Sequence, residues 1–323
     1  MEGVVDPQIR DILTGFGGID VCATEFIRVT QYLNPASVFY KFAPELRTQS
    51  RTPNGTPVFL QLLGSDLNCM AENAQLACEL GAHGIDINFG CPAKTVNRHD
   101  GGSVILKNPE RVFAITQAVR KAVPAHIPVT TKVRLGFEHK DLHKEIALAA
   151  QEAGSANLVV HARTKLEAYR PPAHWEYIAG MKDAVTMPVV ANGDIWSVED
   201  YFKCKEISGC SDVMLGRGLM AQPLLALQIR HALGESLTHT ETMLLLQPQA
   251  SSNPHTPNDL ERFYIQQFIF KYYELNATSP VPLLLGRLKQ LIKLLSRHSV
   301  FFQHAFEQIK RHRQVEDILQ HLA

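Results

Sequence analysis

The chain has 323 residues, 45% hydrophobic and 20% charged, and its 32 basic and 32 acidic side chains give a formal net charge of zero. This composition excludes a disordered or fibrous chain, and no apolar run approaches the ~18 residues of a membrane-spanning helix. The six cysteines, at 22, 69, 78, 91, 204 and 210, form no C-x-x-C pair, and with no charged-then-apolar leader at the start they suit reduced thiols in the cytoplasm better than disulfides or a zinc site.

In chain order, Asp6 is placed to cap a helix reaching Leu13. Seven short runs rich in Val, Ile or Leu follow: Asp20–Thr24, Val58–Leu63, Gly84–Asn88, Val129–Val133, Leu158–Val160, Val189–Ala191 and Val213–Leu215. Each has the length of a strand buried on both faces. Helical spacing separates most of them, as in Asn68–Leu80, which stops at Gly81, Pro109–Ala122, and His143–Ala153, which stops at Gly154. Such alternation predicts a parallel sheet.

The runs finish on polar or small residues: Glu25, Gln61, Asn88, Lys132 with Arg134, His161, Asn192, and Gly216 with Arg217. A (β/α)8 barrel gathers all its strand ends around one mouth, whereas an open sheet uses only those beside its switch point. The reading is therefore an α/β (β/α)8 TIM barrel. Eight strands are needed and seven are visible, so the missing strand is the first and is expected to precede Met1.

From Met243 the texture changes, with a linker-like stretch at Gln247–Pro254. Asn258-x-x-Glu261 then resembles a capping box, opening a helix with Phe263, Phe268 and Tyr272. After Pro282, Leu284, Leu288, Leu291 and Leu295 form one stripe, with Lys289, Lys293 and Arg297 opposite. No Asp or Glu occurs between Leu275 and Phe306, an asymmetry that suits either a polyanion-binding face or a solvated surface. The expected domains are a catalytic barrel (1–242), a linker (243–258) and an all-α domain (259–323).

Several residues could carry chemistry. Asn192-Gly193-Asp194 and Gly216-Arg217-Gly218 stand where barrels hold phosphate, or are turn chemistry only. Lys132, in an apolar run, points either at an electron-rich partner such as a reduced flavin or at Glu25 in an ion pair. His161 is a ligand or a satisfied core histidine. Cys91, in Asn88-Phe89-Gly90-Cys91-Pro92, is a thiol presented at the mouth, able to give a proton, or a small buried apolar residue. Lys94–Ser103 reads as a mobile lid. His139 and His143 have metal-binding spacing but no third ligand, so no metal is expected.

In order along nearly the whole chain, the strings Met1-Glu2-Gly3-Val4, Thr24-Glu25-Phe26, Gln61-Leu62-Leu63-Gly64, Asp86-Ile87-Asn88-Phe89-Gly90-Cys91-Pro92, Lys132-Val133-Arg134, His161-Ala162-Arg163-Thr164, Asn192-Gly193-Asp194-Ile195 and Gly216-Arg217-Gly218 resemble the tRNA-dihydrouridine synthases. Phe26-Ile27-Arg28-Val29 and Gly286-Arg287-Leu288-Lys289-Gln290 are most similar to the bacterial C type, which acts on uridine 16 of the D-loop. The resemblance implies an FMN-bearing barrel, reduction by NADPH (or NADH), hydride delivery to C6 of the uracil, and a proton given to C5 by Cys91. It implies that Gln61, Lys132, His161, Asn192, Gly193, Asp194, Gly216 and Arg217 hold FMN. Arg28, Asn88, Arg134, Tyr169, Arg287 and Lys289 would meet the tRNA, whose target base must be turned out of its stack. The family's apolar first strand is absent here. The lid reads Arg98-His99-Asp100, where the C type has small residues, and two later tRNA-contact positions fall on Leu294 and Phe306. A related flavin barrel reducing a small molecule and an inactive tRNA-binding remnant are the two other readings.

Overall fold

A computed structural model describes residues 3–246 and 253–322. Met1, Glu2 and the linker residues Gln247–Ser252 lie outside them. The chain divides into two compact units: Met1–Pro7, Asp20–Ile195 and Glu199–Leu215 in one, and Gln8–Ile19, Trp196–Val198 and Gly216–Ala323 in the other. Helix α1 (Pro7–Gly15) opens the chain and belongs, from Gln8 on, to the second unit.

The first unit is α/β. Its strands are β1 (Cys22–Ala23), β2 (Ile27–Arg28), β3 (Val58–Leu63), β4 (Ile85–Asn88), β5 (Val129–Arg134), β6 (Leu158–His161) and β7 (Val189–Asn192). All pair in parallel, in the order β1-β3-β4-β5-β6-β7, and β2 also lies on β3. Helices α2 (Ala36–Phe42), α3 (Leu67–Glu79), α4 (Lys94–Arg98), α5 (Pro109–Ala122), α6 (His143–Glu152), α7 (Trp175–Ala184) and α8 (Val198–Ser208) run between and after the strands.

Local chemistry explains the helix limits. Asp66 accepts from the Cys69 amide (2.8 Å) at the start of α3, and this bond holds its carboxyl below the usual range. At the other end Gly81 takes φ +101°, and Ala82 N–H reaches back to Ala77 O (2.9 Å). Asn108 caps α5 by accepting from Glu110 N–H, and Pro109 occupies its first turn.

Two strand expectations are corrected. The run Asp20–Thr24 shortens to the two-residue strand β1, and β2 follows beyond it; between the two the Thr24 hydroxyl accepts from the Gln61 amide (3.0 Å). The run Val213–Leu215 makes a single bridge, Ala191 to Val213. Two backbone hydrogen bonds form there, Ala191 N–H to Asp212 O (3.0 Å) and Met214 N–H to Ala191 O (2.8 Å), and the Asn192 side chain takes the next carbonyl, its Nδ2 donating to Met214 O (2.6 Å).

The register brings the strand tips to one edge. Arg28 pairs with Leu63, Asn88 with Lys132, Arg134 with His161, and His161 with Asn192. Since every strand is parallel, this edge collects the C-terminal ends, where ligands meet such sheets.

The second unit is helical among its described residues: α1, then α9 (Arg217–Ala221), α10 (Leu225–Ala232), α11 (His239–Leu245), α12 (Asp259–Tyr264), α13 (Lys271–Leu275), α14 (Val281–Leu295), α15 (Val300–Ile309) and α16 (Val315–Leu322). A π-helical stretch, Ile265–Phe270, joins α12 to α13. The Asn258–Glu261 capping box is present. On α14, Leu284, Leu288, Leu291 and Leu295 are buried as the spacing predicts, and Arg287 is buried with them, beside the Tyr272 hydroxyl and Gln290. Lys289 donates to Lys310 O (3.1 Å) and His312 O (2.5 Å) just past α15. Lys293 stands over Phe306 and Arg297 over Trp196, both on the exposed surface. No helix of the described residues is long and apolar enough to cross a membrane.

Candidate active site at the strand ends

Two groups of residues occupy the C-terminal edge of the sheet. The first surrounds Cys91, in the loop after β4. Cys91 is only 9% exposed and packs with Phe26, Leu63 and Val96. Its carbonyl accepts from Asn97 Nδ2 (2.9 Å), the Ser103 hydroxyl (2.8 Å) and the Ser103 amide (3.1 Å). Gly102 passes close by at φ +65°, where a Cβ would come within 2.8 Å of Cys91 O, so only glycine fits. The preceding Gly90 is held at both ends: its N–H donates to Asn88 Oδ1 (2.8 Å), and its carbonyl accepts from Arg134 Nε (2.8 Å).

The segment expected to be a mobile lid is folded instead. It forms α4 and a 3-10 turn over Gly102–Lys107, and Arg111 holds Asp100 through two hydrogen bonds. Asn97 and Ser103 face the Cys91 carbonyl, which the sequence spacing alone does not reveal.

The second group lies at the ends of β5, β6 and β7. Asn192 fixes its orientation through Nδ2 and Met214 O, so its Oδ1 faces His161 Nδ1 (2.9 Å) and Lys132 Nζ (3.5 Å). An acceptor at Nδ1 places the imidazole proton there. His161 Nε2 is then a bare acceptor, buried and without a partner among the described residues. Burial, and then the charges of Arg134 and Lys132, push the His161 pKa well below the usual value, so the ring is neutral at pH 7. Burial also lowers Lys132, to about 8, with Arg134 adding to the effect and Asp86 and Cys91 opposing it. The alternative ion pair with Glu25 does not form: Glu25 Oε1 is buried without a partner among the described residues.

Gly193 (φ +125°) and Asp194 (φ +52°) carry the chain around this corner, and the Gly193 carbonyl accepts from Trp175 Nε1 (2.9 Å). Asp194 pairs with the fully buried Arg163, whose Nε donates to Arg170 O (2.6 Å) and whose Nη1 has no partner among the described residues. Arg134 is 2% exposed, and its Nη1 donates to Thr164 O (3.0 Å) and Ala168 O (2.9 Å). It thus ties the Cys91 loop to the loop carrying Tyr169. That ring is half exposed, its centroid 6.1 Å from that of His161 and 5.4 Å from the Arg134 guanidinium carbon.

Gln61 and Asn88 meet between the two groups. Gln61 Nε2 donates to Asp86 Oδ2 (2.6 Å), and its Oε1 accepts from Asn88 Nδ2 (2.8 Å). Asp86 and Arg163 are the residues that motif reading passed over. A carboxylate inside the apolar run Ile85-Asp86-Ile87 was the available signal for the first. Arg28 is exposed at the tip of β2. Gly216 and Arg217 begin α9 in the other unit, with the Arg217 guanidinium 5.2 Å from the Trp196 ring. Arg287 and Lys289 lie on α14. No cluster of three or more metal-ligating side chains occurs among the described residues.

Residues 1–273 match the family described as dihydrouridine synthase (Dus). The chain belongs to that family. A tRNA-dihydrouridine(16) synthase of Pseudomonas putida is 61% identical over 72% of this chain and 72% of its own length. One of Aquipseudomonas alcaligenes is 46% identical over 100% of this chain and 97% of its own length. A third, from Pseudomonas syringae pv. tomato, is 50% identical over 92% of this chain and 88% of its own length. A chain of the Amycolatopsis orientalis BexX/CysO complex overlays 77% of this one, and 90% of itself, at a TM-score of 0.44 with 15% identity, too loosely to bear on function.

Proposed function

We propose that this member of the dihydrouridine synthase family reduces uridine 16 in the D-loop of tRNA to 5,6-dihydrouridine, using bound FMN and NADPH (or NADH). The observation that carries the reading is the corner at β5, β6 and β7. It joins a neutral His161 with a bare Nε2, a half-buried ammonium and a buried guanidinium with a bare Nη1. Buried polar atoms normally find partners. A flavin offers donors and acceptors on its ring and anionic charge on its phosphate, and these complement the corner. Gln61, Lys132, His161, Asn192, Gly193 and Asp194 would hold it, and the family resemblance adds Gly216 and Arg217. When bound and reduced, FMN supplies the hydride that adds to C6 of the uracil.

The chain's own residues supply the rest. Cys91 gives the proton to C5. The packing of Phe26, Leu63 and Val96 around Cys91 excludes water from that transfer. Asn88 meets the base beside it. Arg28, Tyr169, Arg287 and Lys289 meet the tRNA, and Arg134 contributes by holding the Cys91 and Tyr169 loops. In this reading residues 1–242 belong to a (β/α)8 barrel, 243–258 link the domains, and 259–323 form the helical tRNA-binding domain of a cytoplasmic enzyme. The test is NADPH-dependent formation of dihydrouridine in transcribed tRNA by the purified, yellow protein. Binding that weakens steeply with salt would mark tRNA as the partner rather than a small molecule.

A further inference from the structure

The Gln61–Asn88 contact continues in both directions. Asp86 sits in the middle of β4 at 2% exposure. Its Oδ1 accepts from the Thr130 hydroxyl (2.6 Å) and its Oδ2 from Gln61 Nε2 (2.6 Å). Burial raises the Asp86 pKa, while the hydrogen bonds from Thr130 and Gln61 and the charge of Lys132 oppose that rise; in its ionised form the carboxylate has only acceptors to offer, and Gln61 then turns its NH2 inward. Its Oε1 then faces outward and can only accept, which it does from Asn88 Nδ2 (2.8 Å). Asn88 is in turn obliged to present Oδ1 to the Gly90 N–H (2.8 Å), one residue before Cys91. A side-chain amide can flip by half a turn at little steric cost, so neither amide fixes its own polarity. The one group in the relay that cannot reverse is the carboxylate.

We propose that Asp86 is a positioning residue: its buried carboxylate sets the polarity of the Gln61 and Asn88 amides and, through Gly90, fixes where Cys91 stands. Asp86 touches neither the thiol nor the substrate. It acts through two amides, and the role rests on Cys91 being the proton donor of the proposed reaction. The opposite side of Gly90 is already held by Arg134, so loss of the relay releases one of two supports and leaves the loop attached. The relay shares Gln61 with the residues that would hold FMN, whereas Asn192, the acceptor common to His161 and Lys132, lies outside it.

Three variants test this. Asp86→Leu removes the acceptors at similar volume. Asp86→Asn keeps one acceptor for Gln61 while its NH2 meets the Thr130 oxygen. Asp86→Ser keeps a polar group but is too short to reach Gln61, and serves if the leucine variant does not fold. The first readout is the rate of Cys91 alkylation by iodoacetamide, followed by peptide mass spectrometry, which needs no turnover. Asp86→Leu, or Asp86→Ser in its place, is expected to raise it about tenfold, the factor given by ~1.4 kcal/mol of lost hydrogen bonding. Asp86→Asn is expected to stay within about twofold of the parent, since the single-bond loss is avoided. The second readout is the single-turnover rate of uridine reduction by pre-reduced protein, expected to fall in Leu or Ser and to be restored in Asn. A folded Leu or Ser variant with parental alkylation and parental rate would overturn the proposal, as would an Asn variant as impaired as the leucine. If the parent protein itself reduces no uridine, the functional reading fails, while the alkylation series still decides the role of Asp86.

Discussion

The Cys91 loop and the His161 corner lie along one sheet edge and solve opposite problems. Around Cys91 the loop backbone is satisfied: the Gly90 amide, the Gly90 carbonyl and the Cys91 carbonyl each have protein partners, and Asn97 Oδ1 is the buried atom there without one among the described residues. Around His161 it does not: His161 Nε2 and Arg163 Nη1 are buried without partners among the described residues, and Lys132 carries an ammonium whose pKa burial has lowered. A loop that must place one thiol gains from complete internal support. A surface that must grip a polar ligand keeps its donors and acceptors for it, at a cost in the stability of the free chain.

The largest effect should come from breaking the first region at its chemical end. Cys91→Ala is expected to lower turnover by about 10²- to 10⁴-fold, the range of a lost general acid, with flavin absorbance and tRNA affinity retained. Full activity in a flavin assay of that variant would remove the thiol from the mechanism. In the second region, Asn192→Ala takes away the acceptor shared by His161 and Lys132. Flavin affinity, measured by fluorescence titration, should fall by about 10- to 100-fold, as for hydrogen bonds to charged groups. Parental affinity would show that the corner is built for something else.

The support of the Cys91 loop can be strained without touching its chemistry. Gly102→Ala puts a Cβ within 2.8 Å of Cys91 O at φ +65°. It should cost about 2 kcal/mol of stability by denaturant unfolding, or more if the loop cannot shift, and should depress turnover with it. Away from the sheet edge, Lys289→Glu should weaken tRNA binding by about three- to tenfold and reduce its salt slope by about one phosphate, with the flavin retained. Unchanged affinity would leave Lys289 with its visible task of holding Lys310 O and His312 O.

The smallest effect concerns the sign of Lys132. Its folded pKa, about 8, lies below the unfolded value near 10.5. The folded chain therefore binds fewer protons than the unfolded one between those limits, and this group makes stability rise with pH across that window. Lys132→Met should raise the melting temperature of the flavin-free protein below pH 8, with the advantage shrinking as pH approaches 10.5. Added FMN should favour the parent instead. An advantage that grows with pH would reverse the assignment.

The sequence makes much of this legible. Short Val- and Ile-rich runs separated by capped helices specify the parallel ladders β3 to β7, because burial on both faces leaves a strand little freedom in composition. The Asn258–Glu261 box and the leucine stripe of α14 are readable for the same local reason. What stays hidden is long-range. The Thr24 hydroxyl that stands between β1 and β2, and the Asn192 amide that takes the Met214 carbonyl, are decided by partners 37 and 22 residues away. Arg134 reads as an exposed strand-end cation and is instead buried, because three carbonyls from two loops converge on it. Lys94–Ser103 reads as a lid from its glycines, but Asn97, Asp100 and Ser103 have fixed partners.

The central claim is that the polar corner takes a flavin which, with Cys91 beside it, saturates one uridine. The most direct measurement is position-resolved mapping of transcribed tRNA after incubation with the FMN-loaded protein and NADPH. The account predicts dihydrouridine at position 16, the position named in the relatives, formed by the parent and lost with Cys91→Ala. Fully loaded protein that oxidises NADPH yet leaves every D-loop uridine unreduced would contradict it.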